Sequence, residues 1–217
     1  CCPMASLPSS FRRYSRNEAR ADIVIHVIGI LFAINASLWL LAHVTEVSAI
    51  VSVSIYCAGL LSMILASAAY HLSRHGPTKE ILRRIDHAAI FIMIAATYTP
   101  FAVNRLGYQN GVELLTAIWL CATTGVVLKL IFPRRFERLS VIFYLAMGWM
   151  IIAVAKPLSA AVASVDLWLL LIGGMVYSAG IVFFLIERLP FHKAAWHGFV
   201  LIAVALHFAA IAGEFAA

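Results

Sequence analysis

Seven runs of apolar residues, each long enough to cross a bilayer, leave this chain few ways to fold. They occupy residues 22–43, 48–70, 86–103, 112–132, 139–155, 166–187 and 194–213. A membrane span takes roughly 20 residues, with latitude for tilt. Within lipid every backbone N–H and C=O must find its partner inside the protein, so runs of this length read as helices. The breaks between later runs carry turn chemistry and charge: "SRHGPTKEILRR", "NRLGYQNG", "FPRRFERLS", "KPLSAAVASVD" and "ERLPFHK". Composition agrees. Of 217 residues, 63% are hydrophobic and 12% charged, against about 25% charged in a soluble domain. The expected fold class is all-α, an integral membrane seven-helix bundle. An N-terminal arm over residues 1–21 precedes a single membrane domain over residues 22–217. No internal repeat or low-complexity segment interrupts it.

The placement of Lys and Arg sets the expected orientation. The arm holds Arg12, Arg13, Arg16 and Arg20. The second loop holds Arg74, Lys79, Arg83 and Arg84, and the fourth Lys129, Arg134, Arg135 and Arg138. The sixth holds Arg188 and Lys193. That puts 14 of the 16 cations on one side, leaving only Arg105 and Lys156 on the other. Positive residues stay cytoplasmic, so the N-terminus is expected inside and the C-terminus outside. An even number of spans would spoil this split. Lys129 is expected to snorkel from a helix end. The cations follow the loops of one membrane face, and no nucleic-acid partner is expected. The opening "CCPMASLPSSFRRYSR" lacks the apolar core of a secretory signal. Cys1 and Cys2 read as residues ahead of a start at Met4. Cys57 and Cys121 lie mid-span without metal-ligand spacing and read as packing residues.

Titratable residues gather at one depth. With alternating helix directions, His26, His71, Asp86, His87, His192 and His197 all fall near the cytoplasmic ends of the first, second, third and seventh spans. His43 falls at the outer end of the first span and His75 in a loop. His207 lies ten residues past His197, about 15 Å along a helix, in the other half of the membrane. Ionisable side chains inside spans usually face the bundle interior and mark function. One histidine near an interface is ordinarily a hydrogen-bonded belt residue. Several imidazoles with a carboxylate at one depth are what a zinc ion takes. Ser67 precedes His71 by four residues and shares its helix face. Its hydroxyl either bonds back to its own helix or donates to a metal-held water or a substrate carbonyl.

The stretches "SAAYH", "RRIDHAAIFIMIAATYTPF" and "WHGFVLIAVALHF" resemble the bacterial hemolysin III family. That family is related to the progestin and adipoQ receptors, which include the adiponectin receptors, and more distantly to alkaline ceramidases. The resemblance runs from about residue 18 to 213. "DIVIHVIG" resembles the family's Asn-x-x-x-His-x-x-Gly, with Asp22 where Asn is usual. The resemblance implies a seven-helix bundle with its N-terminus inside and a Zn²⁺ ion just within the cytoplasmic leaflet. His71 and His197 carry over as ligands, Asp86 as the carboxylate beside the metal's water, and Ser67 as the motif serine. The family's remaining histidine falls on Lys193, which cannot ligate when protonated. His192 is one residue earlier. Five residues of continuous helix leave it roughly 140° from His197. An irregular first turn after Pro190 would let His192 reach the metal, and it is the expected third ligand, with His26 or His207 as substitutes.

A zinc ion beside a carboxylate is equipped to hydrolyse carbonyl compounds. The expected function is a zinc-dependent membrane hydrolase acting on a lipid amide or ester, ceramide-like in the related families. Membrane lipid is the expected partner and a bacterial inner membrane the expected location. The alternatives are a cytolytic or channel-like protein, which the family's name claims, and a receptor or sensor holding structural zinc. A pore would show polar residues at every depth on several spans. Here they concentrate in one layer.

Overall fold

Ser15 starts the first helix. Its hydroxyl accepts the Glu18 N–H at 3.2 Å, and the Glu18 carboxylate accepts the Ser15 N–H at 2.8 Å. This capping box satisfies amides that a helix start otherwise leaves bare. Helix α1 runs Arg16–His43, so residues 16–21 of the expected arm belong to it. Then come α2 (Val47–Leu72), α3 (Pro77–Asn104), α4 (Tyr108–Ile131) and α5 (Glu137–Gly148). A 3₁₀ segment (Met150–Val154), α6 (Ala155–Ala161), α7 (Ser164–Leu185) and α8 (His192–Phe215) complete the chain. This computed structural model describes residues 15–73, 76–132, 134–186 and 188–216. Cys1, Cys2, Arg12, Arg13, Arg74 and His75 lie outside them.

Seven units are long and apolar enough to cross a membrane: α1, α2, α3, α4, the composite Glu137–Ala161, α7 and α8. No strand occurs among the described residues. The protein is an all-α integral membrane protein. Leu31, Leu38, Leu120, Trp168 and Ile202 are all exposed on the bundle surface. Lipid tails are as apolar as leucine, so such a surface is at home in a bilayer.

Helix α1 packs between α2 and α8, α2 packs on α3, α3 on α4, and α7 on α8. Two glycines set the α7–α8 approach. A Cβ on Gly173 would lie 2.4 Å from the His207 ring, and one on Gly180 would lie 2.8 Å from the Phe199 Cβ. Without a hydrophobic drive between helices in lipid, such small residues permit the backbone contact that dispersion needs. Helix α5 touches α3, α4 and α7 only lightly.

The fifth span departs from the single run expected over 139–155. Its α-helix ends at Gly148, and the chain continues through the 3₁₀ segment into α6. Tyr98 of α3 holds the break. Its hydroxyl donates toward the carbonyls of Met147 and Gly148, at 2.8 and 2.7 Å, and accepts the Ile151 N–H at 3.0 Å. Irregular backbone at membrane depth is tolerated where the protein supplies such partners.

Lys129 is also placed differently from expectation. It is only 4% exposed, with Nζ 3.1 Å from Glu137. Glu137 opens α5 opposite the end of α4 and also takes Arg83 at 2.8 Å. A buried ammonium needs such a partner. Extending to water becomes unnecessary once it has one. At the other end of the bundle, the Glu214 carboxylate accepts Arg105 Nε at 2.7 Å and the Ala163 N–H at 2.6 Å. This pins α8 to the loop after α3 and to the start of α7.

Candidate metal centre

Glu18, Asp22 and His26 recur every four residues on α1, so they share one face, and all three are buried. Glu18 fixes the neighbouring helix. Its carboxylate accepts the Phe191 N–H at 2.9 Å, and Phe191, at φ 56°, is the residue on which α8 begins. The start of α8 is thereby held one turn from Asp22, which brings His197 against the Asp22 carboxylate.

Asp22 is the hub of the cluster. Nδ1 of His197 donates to its Oδ1 at 2.7 Å. Nδ1 of His71 lies 3.4 Å from its Oδ2. The His71 and His197 rings meet edge to face, centroids 4.4 Å apart. Potential ligand atoms of Asp22, His71 and His197 all lie within 4.8 Å of one another. His26 stands beside them, its ring centroid 4.5 Å from that of His197 and 5.3 Å from that of His71. Both of its nitrogens are engaged. Nδ1 donates to the Asp22 backbone carbonyl at 2.8 Å. That leaves Nε2 to accept the Ser67 hydroxyl at 3.2 Å, so the Ser67 proton is directed at His26.

A cavity of about 1330 Å³ opens off this cluster. Residues of α1, α2, α3, α5, α7 and α8 line it, while α4 stays outside. All six residues expected at one depth (His26, His71, Asp86, His87, His192 and His197) contribute to its wall, as does Ser67. His87 turns its Nδ1 to the Arg83 carbonyl at 2.6 Å. Beyond the cluster the wall is largely apolar, with Met63, Ile94, Val200 and Leu201 among its residues, and it reaches His207. His207 donates to the Leu170 carbonyl at 3.1 Å. His43 is exposed and stacks on Trp39, ring centroids 4.5 Å apart, away from the cavity.

The structure thus brings His71 and His197 together, with Ser67 and Asp86 on the same cavity. His192 is a different case. Helix α8 is unbroken from His192 onward, without the irregular first turn that would swing this residue round. His192 lines the cavity but stands outside the three-residue group. Asp22 was not among the expected ligands. Its signal in the sequence was "DIVIH", a carboxylate four residues before a histidine and so on the same helix face.

The donors present suit zinc. Zinc takes imidazole nitrogens and carboxylate oxygens, and catalytic sites use three protein ligands with one position open. Bonds of about 2.0–2.2 Å in a tetrahedron separate ligand atoms by about 3.3–3.6 Å. The 3.4 Å between Asp22 Oδ2 and His71 Nδ1 falls in that range, while the 2.7 Å between Oδ1 and His197 Nδ1 is a hydrogen bond.

Comparison with known proteins matches this architecture to a family. The family described as "Haemolysin-III related" matches residues 14–208. "Hemolysin-3 homolog" of Bacillus subtilis (strain 168) is 39% identical over 191 residues, covering 87% of this chain and 90% of that protein. "Hemolysin-3" of Bacillus cereus is 38% identical over 194 residues, covering 88% and 89%. "Monocyte to macrophage differentiation factor" of Homo sapiens is 30% identical over 165 residues, covering 72% of this chain and 67% of that protein. No solved structure matches the chain. With a match across nearly the whole membrane domain, the chain belongs to the haemolysin III family.

Proposed function

We propose that the protein is a zinc-dependent hydrolase of an amide- or ester-linked membrane lipid. It works at the cytoplasmic leaflet of a bacterial inner membrane. The observation that carries this reading is the convergence of Asp22, His71 and His197 beside a cavity whose deeper wall is largely apolar. When bound there, zinc supplies Lewis-acid polarisation of a carbonyl and a more acidic water. The chain's own residues do the rest. Asp86, on the same cavity, accepts a proton from the attacking water. Ser67 and the Asp22 carbonyl hold His26 in one tautomer, so the packing around the two ligand histidines stays fixed. Met63, Ile94, Val200 and Leu201 receive the acyl chain and keep bulk water from it. Helix α8 carries the cavity about 15 Å from His197 to His207, room for a lipid tail rather than for a headgroup alone.

Orientation follows from charge. With 14 of 16 cations on one side, the cluster faces the cytoplasm. Alkaline phosphatase fused after residue 217 should be active, and a fluorescent protein at the same place dark. The reverse pattern would put the site on the outer leaflet.

The decisive assay is turnover of an N-acyl lipid by purified protein. Fatty acid release should occur, stop on chelation and return with added Zn²⁺. Absence of release across a panel of amide and ester lipids would sink the hydrolase reading. A pore, as the names of the Bacillus relatives suggest for those proteins, calls for polar walls through the full thickness of the membrane. The largely apolar wall beyond the cluster argues for a pocket.

A further inference from the structure

Two histidines leave a zinc ion short of a third protein ligand, and Asp22 is the residue grouped with both, ligand atoms of the three lying within 4.8 Å of one another. We infer that Asp22, donated by α1, is a direct ligand that stands in for a histidine that α8 does not supply at its own first turn. This assignment rests on the zinc reading of the site and names a ligand within it.

Helical geometry frames the choice. A side chain that shares a metal with His197 from the same helix must come from the same face, three or four residues away. Four residues before His197 that position is Lys193. An ammonium has three donors and no lone pair to offer a cation. His192 is one step earlier, and α8 is continuous from there to His197, so its side chain leaves the helix about 140° away. His26 is close enough by ring distance, but Nδ1 is spent on a backbone carbonyl and Nε2 on Ser67. Asp22 turns both carboxylate oxygens to the cluster: Oδ1 accepts from Nδ1 of His197 at 2.7 Å and stands 3.8 Å from Nδ1 of His26, and Oδ2 lies 3.4 Å from Nδ1 of His71. The 3.4 Å gap to His71 is long for a charge-assisted hydrogen bond and suits two ligands on one tetrahedral metal.

A carboxylate that merely oriented the histidines from outside would have a different signature. Loss of such a partner costs about 10–100-fold in metal affinity. Loss of a direct ligand costs more, and a ligand offered from another direction can restore it. Position 193 provides that direction.

Four proteins should be purified in detergent and titrated with Zn²⁺ in competition with a chromophoric chelator: wild type, Asp22→Asn, Asp22→Asn/Lys193→His and His71→Ala/His197→Ala. The expected result is a loss of more than about a hundredfold in zinc affinity for Asp22→Asn. The Lys193→His partner change should recover most of it. A smaller loss, or no recovery in a monodisperse double variant, overturns the assignment of Asp22. Zinc-edge X-ray absorption of the wild type gives a readout that needs no variant. Two imidazoles with oxygen neighbours support the assignment, and three imidazoles overturn it. The last variant separates the two claims. If it loses zinc while Asp22→Asn keeps it, the metal centre stands and Asp22 is not its ligand. If it keeps zinc, both fall.

Discussion

Replacing Tyr98 by Phe should cost this protein about 3 kcal/mol or more, the removal of one oxygen notwithstanding. That hydroxyl is the partner of three backbone groups at the break in the fifth span, the carbonyls of Met147 and Gly148 and the N–H of Ile151. A buried polar group left bare costs about 1–3 kcal/mol, and irregular backbone at membrane depth depends on partners that the protein supplies. The apparent melting temperature in detergent should fall by roughly 6–12 °C at this chain length. Tyr56 supplies the control. Its hydroxyl is buried and has no hydrogen-bond partner among the described residues, so Tyr56→Phe removes a polar group that gains nothing from its site. That change should leave the melting temperature unchanged or raise it. Equal losses from both substitutions would mean that the Tyr98 hydroxyl does not hold the break.

Tyr98 also marks where reading by segments runs out. Length and apolar composition bound the spans well, because the requirement for internal backbone satisfaction acts on every residue of every span. Six of the seven units are continuous helices that cover nearly all of the expected runs, with α3 starting at Pro77, nine residues before its run and inside the stretch expected as a break. The fifth, the shortest run, is a spliced element. Its integrity depends on a tyrosine some fifty residues earlier, and such long-range partners are invisible to a local window. Lys129 is a parallel case. Its place at a helix end suggested reach toward water, and only the packing of α5 on α4 reveals Glu137 as its partner.

The site was legible by depth and illegible by azimuth. Counting residues along spans of alternating direction placed His26, His71, Asp86, His87, His192 and His197 in one layer, and one cavity does take all six. Depth does not say which way a side chain leaves its helix. His192 and His197 share a depth to within a turn and a half, yet continuous helix sends them to different sides. In the sequence Asp22 reads as the residue that stands where the motif in "DIVIHVIG" usually has Asn, and not as a ligand. The stripe Glu18, Asp22 and His26, at steps of four, was the available signal that α1 turns a polar face inward. What pulls that face into the bundle is the link from Glu18 to Phe191, a contact between residues far apart in the chain.

The largest effect is expected on metal binding. Zn²⁺ in excess over the purified wild type should raise its melting temperature by roughly 8–16 °C, while the His71→Ala/His197→Ala variant should not respond. The size comes from linkage. A ligand that binds only the folded state at about a thousand times its Kd adds about 4 kcal/mol. At this chain length each kcal/mol moves the midpoint by about 2–4 °C. The ion would bridge α1, α2 and α8, the three helices that carry Asp22, His71 and His197. Unfolding in detergent separates those helices, so the binding energy is lost in the same step. Elemental analysis should find one zinc per wild-type chain and background in the variant. Release of fatty acid from an N-acyl lipid should fall to the uncatalysed level along with the metal. Activity lost with zinc retained would place the two histidines on the substrate instead. Zinc lost with activity retained would leave the ion a structural clasp on three helices and move the chemistry to other residues of the cavity, with Ser67 and Asp86 the first to replace.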